Sequence, residues 1–142
     1  MNDDSIQLSR VRLKIAVVWL SGTGLVSLLL ILQTVFGKYQ NRAQDVWSWA
    51  LPTILPTLSL IMSALGADAL KKERALVVGL GFSRITINLS TAYLFLVLFT
   101  ILIEPFTPYE PLEWLKLSNL WLGPIQGLVA SSIGVLFVSR KS

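Results

Sequence analysis

The sequence predicts an all-α membrane protein: a four-transmembrane-helix bundle with both termini in the cytoplasm and a second helix kinked by two prolines. Three observations carry this. First, hydrophobic residues make up 54% of the chain and charged residues only 14%, with a mean hydropathy of +0.67. A soluble domain carries about 25% charged residues, so this chain cannot cover a water-facing surface, and its solvent has to be lipid. Second, the charges fall between four long uncharged runs, each near the roughly 20 residues that cross about 30 Å of hydrocarbon. Third, the basic residues are unequally divided between the two sides of those runs.

The runs are read as helices at about 15–35, 48–67, 85–103 and 119–138, within one integral membrane domain covering 1–142. Arg10, Arg12, Lys14, Lys71, Lys72, Arg74, Arg84, Arg140 and Lys141 fall on one side, against Lys38, Arg42 and Lys116 on the other. The richer side is cytoplasmic by the positive-inside rule. Trp47, Trp49, Trp114, Trp121, Tyr39 and Tyr109 gather on the opposite face, as an interfacial aromatic belt does. The first run is longer than the apolar region of a leader, and "QTVFGKYQ" offers no small-x-small cleavage site, so it is expected to stay as a helix.

In the second run, "LPTILPTLSLIMS", each proline should cost about 3 kcal/mol in a helix interior. Pro52, Pro56, Ser59, Ser63 and Gly66 are spaced 4, 3, 4, 3 and share one helix face, with Thr53 and Thr57 beside them. Leu51, Ile54, Leu58, Ile61 and Leu65 occupy the other side. The expectation is that the proline stripe faces protein and the bulky residues face lipid. The carbonyls freed by the prolines then find local hydroxyls, neighbouring helices or water.

The other runs carry small or polar faces of their own. In the fourth, Gly123, Gly127 and Ser131 form a small-x-x-x-small ladder that Gly134 extends, with Pro124 near its start. The first has Thr23 and Ser27, and the third has Asn88 and Thr91. These faces fit two uses, helix packing or the lining of a hydrated path.

Between the second and third runs, the basic loop at about 68–84 offers Lys71, Lys72, Arg74 and Arg84 to anionic lipid or an acidic soluble partner. Its "ALVVGLGF" is expected to lie on the membrane surface or to turn as an elbow. The loop at about 104–118, with prolines at 105, 108 and 111, is expected to form an extended external strap.

The composition disfavours catalysis. There is no histidine or cysteine, which removes the commonest general base and the thiolate metal ligands. No run holds a carboxylate or a lysine, so aspartyl and Ser–Lys chemistry at membrane depth lack their residues. Proton-coupled carriers normally place an acidic or histidine relay inside the membrane, and none is here. No cofactor, metal or nucleic-acid partner is expected, and no motif ties the chain to a known family.

Two classes of function stay open. One is a homo-oligomer that conducts ions or senses within the membrane, switched by a cytoplasmic partner. The other is a non-conducting anchor or assembly subunit, with small-solute transport a lesser alternative. Neutralising Lys71, Lys72 and Arg74 together is expected to weaken binding to anionic vesicles, and the lost component is the salt-sensitive one. Cosedimentation across a salt series checks this; unchanged binding would remove the loop's docking role.

Overall fold

The structure, a computed structural model, describes residues 5–70 and 77–138. Four helices dominate it: α1 (Leu8–Val35), α2 (Ala43–Leu70), α3 (Leu80–Ile103) and α4 (Pro111–Val138). All four are long and apolar enough to cross a membrane. A 28-residue helix is about 42 Å long, so three of them match a whole bilayer including its headgroups.

Every helix is longer than the uncharged run that predicted it, for one reason. Arg10, Lys14, Glu113 and Lys116 are exposed on helical turns, and a charge ends the lipid-embedded part of a helix without ending the helix. The expected strap is thereby shortened to 104–110, and it opens with the 3-10 turn Glu104–Phe106. Pro111 begins α4, in the first turn, where a missing N–H costs no helical hydrogen bond. Glu110 caps that start, its carbonyl accepting Trp114 N–H at 3.0 Å.

At the far end of α1 the chain reverses through a left-handed Gly37 (φ 72°). Lys38 N–H donates to Gln33 O and Gly37 N–H to Thr34 O, each at 3.0 Å, which satisfies two terminal carbonyls. Of "ALVVGLGF", residues 77–82 are described, and the chain passes there from strand to helix at Gly79. Val77–Gly79 (β2) pairs antiparallel with Ser5–Gln7 (β1), and Gly81 already lies in α3. Lys71, Lys72 and Arg74 lie outside the described residues.

The helices form two hairpins, α1–α2 and α3–α4. Besides its hairpin partner, α1 packs on α3 and α2 packs on α4, while α1 and α4 stand diagonally. The core runs the length of the bundle through Ile15, Trp19, Ile61, Tyr93, Leu122 and Ile133. Trp19 stacks on Tyr93 with ring centroids 5.8 Å apart. At the same level α1 meets α3 through Gly22, where an added Cβ would lie 2.6 Å from Leu94 Cδ1.

Both termini of the bundle lie at one end, and Arg12 ties them. It is buried, with its guanidinium 5.3 Å from the centroid of Phe137. Its Nε and Nη2 donate to Leu136 O at 3.2 and 2.9 Å, and Nη2 also donates to Phe137 O at 3.2 Å. These are among the last carbonyls of α4, the negative end of that helix. Replacing Arg12 with methionine is expected to destabilise the bundle by about 2 kcal/mol, with lysine restoring only part because it lacks the planar fork. Thermal denaturation of the detergent-solubilised chain measures it; an unchanged midpoint would mean that water serves those carbonyls equally well.

Candidate functional site

Pro56 has no N–H, so the carbonyl four residues back, that of Pro52, loses its helical partner. That carbonyl is met from α4: Gln126 Nε2 donates to Pro52 O at 3.2 Å and to Thr53 O at 3.1 Å. Thr53 O also accepts Tyr93 Oη from α3 at 2.7 Å. The Thr53 hydroxyl turns back to Trp49 O at 2.7 Å. Helix α2 thus continues through both prolines with its loosened turn held by two other helices.

Within one bundle the proline stripe faces outward rather than inward, and the bulky side is divided, with Leu51 exposed and Leu58 and Leu65 half-buried. Pro52, Pro56, Ser59, Ser63 and Gly66 are all exposed, whereas Ile54 and Ile61 are buried with Thr53 and Thr57. Volume explains the difference. Bulky β-branched side chains fill the space between four helices, and prolines and glycines leave it empty. The α4 ladder behaves likewise: Gly123, Gly127 and Ser131 are exposed and Gly134 is half-buried. An added Cβ at Gly66, Gly123, Gly127 or Gly134 would meet nothing within 4 Å.

The two stripes border the same seam, because Gln126, one residue from Gly127 and one turn from Gly123, reaches Pro52. Asn88, Thr91 and Arg84 are exposed on α3, apart from that seam, and Thr91 Oγ1 donates back to Ile87 O at 2.9 Å. Thr23 and Ser27 on α1 are half-buried.

A second polar cluster lies at the end opposite the termini. Lys38, half-buried, forms an ion pair with the buried Glu104, joining the α1–α2 connection to the end of α3. Tyr39 is buried beside them, and Lys38 Nζ lies 5.4 Å from its ring centroid. Burial, helped by the charge of Glu104, pushes the Tyr39 phenol up to about 12 from 10.0. The neutral phenol therefore favours the folded state below pH 10, and that contribution is lost as pH rises towards 12. Arg42 and Glu110, both exposed, pair at 3.1 Å across the two loops.

The expected aromatic belt is only partly external. Trp49 and Tyr39 belong to the core. Trp47 and Trp114 are half-buried, and their indole N–H groups donate to Thr34 Oγ1 (3.2 Å) and Thr100 O (2.8 Å).

The chain matches no family model, and no curated protein or solved structure resembles it significantly.

Sequence reading passed over Gln126, Tyr93, Arg12 and the Lys38–Glu104 pair. Gln126 carried a usable signal, as an amide within an uncharged run that must find a partner in lipid. Tyr93 and Arg12 carried none, since a tyrosine and a flanking arginine are ordinary at such positions. Removing the Gln126 amide (Gln126→Leu) or the Tyr93 hydroxyl (Tyr93→Phe) is expected to cost about 1 kcal/mol each, with the double variant non-additive because both donors serve Thr53 O. A double-mutant cycle by denaturation reads this; additive effects would show that the shared carbonyl does not couple them.

Proposed function

We propose that this chain is a non-enzymatic membrane subunit that self-assembles through the outward Pro/Ser/Gly stripes of α2 and α4, with both termini cytoplasmic and α2 kinked at its prolines. The single observation that carries this is the exposure of those stripes on an otherwise packed bundle. In lipid, glycine on a helix exterior gains nothing from lipid tails and costs about 1 kcal/mol of helix propensity. Facing a second helix, the same residues permit close backbone approach. Copies joined at the α2–α4 seam place Ser59, Ser63 and Ser131 between subunits, where neutral hydroxyls and the proline-loosened backbone line an ion path. A path through one bundle is opposed by its interior, filled by Trp19, Tyr93, Ile61 and Leu122. Basic residues of the 68–84 loop then bind anionic lipid or a soluble partner at the cytoplasmic face.

A second reading, a non-conducting anchor or assembly subunit, is favoured by that same filled interior. Native mass spectrometry of the protein extracted from its own membrane, followed by bilayer recording, separates them. Ser59→Leu with Ser63→Leu is expected to abolish conductance while the oligomer survives. Gly123→Leu with Gly127→Leu is expected to yield monomers. A wild-type chain that is monomeric or silent in bilayers would remove the conducting reading.

A further inference from the structure

The two hairpins leave a half-open groove between their loops, of about 290 Å³, at the end opposite the termini. That volume is at the low end of small-molecule sites, the size of a headgroup rather than a larger metabolite. We propose that it binds the headgroup of a zwitterionic phospholipid with a primary ammonium, of the ethanolamine type. The proposal rests on the reading of α1–α4 as membrane-crossing, and not on self-assembly.

The charges of the wall select a dipolar ligand. Lys38 and Arg42 supply the cations and Glu110 the carboxylate. The Arg42–Glu110 contact uses one nitrogen, Nη1, and one oxygen, Oε2. Among the described residues, Nε and Nη2 of Arg42 and Oε1 of Glu110 have no other partner. An arginine fork with unused donors suits a phosphate oxygen. The open carboxylate oxygen beside it suits an ammonium that can donate hydrogen bonds.

The backbone supports the same orientation. Helices α2 and α4 run parallel, and both begin at this groove, α4 with Pro111 and Leu112 in its wall. Their first-turn N–H groups and dipoles favour an anion there. Asp45 and Glu113, exposed in the same first turns, oppose that field. Glu104 already neutralises Lys38. A bare anion therefore meets little net attraction, while a ligand bearing both charges can use each end of the Arg42–Glu110 pair.

A quaternary ammonium fits less well. It has no N–H to donate to Glu110, and the Tyr39 ring face that would attract it is taken by Lys38. Position in the membrane agrees, because the apolar spans of α2 and α4 start at Gln40 and Pro111, which puts the groove at headgroup depth. Val46, Pro111 and Leu112 give it an apolar wall on the bilayer side for the glycerol. Gln40, at the groove, holds a left-handed backbone (φ 46°), alone in this among the described non-glycine residues. Such conformations concentrate at ligand sites.

The test uses the full chain in detergent, with native mass spectrometry reading retained adducts of short-chain phosphatidylethanolamine, phosphatidylcholine and phosphatidylglycerol. Wild-type protein is expected to retain the ethanolamine lipid about fivefold over the choline lipid, an energy typical of one hydrogen bond. Arg42→Gln and Glu110→Gln each remove that preference with the melting temperature unchanged, since both side chains are exposed. Leu112→Trp, which fills the groove and keeps both charges, removes the adduct as well. Equal retention of ethanolamine and choline lipids, or variants that bind like wild type, overturns the proposal. Stronger retention of phosphatidylglycerol overturns it in favour of an anion site. Displacement of the ethanolamine lipid by inorganic phosphate overturns it in favour of free phosphate.

Discussion

A backbone carbonyl shut away from water must be met by a donor, and the turn of α2 that precedes Pro56 meets this requirement from two other helices. Pro56 releases Pro52 O, and a helix apolar enough to cross a membrane offers it no water in hydrocarbon. Gln126 takes it up from α4, and Tyr93 reaches the next carbonyl from α3. Each donor sets the depth of its own helix against α2. Trp19, stacked on Tyr93, carries the constraint to α1. Two adjacent carbonyls of α2, one of them freed by Pro56, thus tie α2 to α3 and α4 and through Trp19 to α1. The proline adds specificity, because the carbonyl it frees has to find its donor on another helix.

Both ends of the bundle are closed by charge. Arg12 holds the last carbonyls of α4, and the Lys38–Glu104 pair joins the two hairpins at the other end. A buried pair returns little net stability, since desolvation offsets most of the attraction. Its effect is on alternatives: a helix slid by one turn would leave a charge buried without a partner. Charged ties at the ends and neutral donors in the middle divide the work as a membrane requires. Ions are tolerable near headgroups, and amides and hydroxyls are tolerable at depth.

The distribution of small residues follows from the same division. Inside, the hydroxyls of Thr53, Thr86 and Thr100 bond to their own helices while those of Thr57 and Ser90 have no hydrogen-bond partner among the described residues, and isoleucine, valine, leucine and aromatic rings supply volume. Gly22 is the exception, at the close contact of α1 with α3. Gly66, Gly123, Gly127 and the prolines Pro52, Pro56 and Pro124 face outward on α2 and α4, whose stripes border one seam. A lipid tail has no use for such a surface, whereas another helix does. This is the physical basis for proposing the seam as the place where copies meet.

Much of this molecule was legible in its chain. Hydropathy and the spacing of charges suffice for four helices of spanning length, because the energy of placing a residue in lipid is local and depends mainly on residue type. The spacing of Pro52, Pro56, Ser59, Ser63 and Gly66 sufficed to put them on one face, because helical periodicity is local too. Which way that face points was decided only by tertiary structure. Direction depends on which side chains fill the space between four helices, and Ile54 and Ile61 fill it better than proline or glycine. The partners of Pro52 O and of Arg12, 74 and 124 positions away along the chain, were likewise set by packing. A one-dimensional pattern records which groups need a partner, and the fold decides which group supplies it.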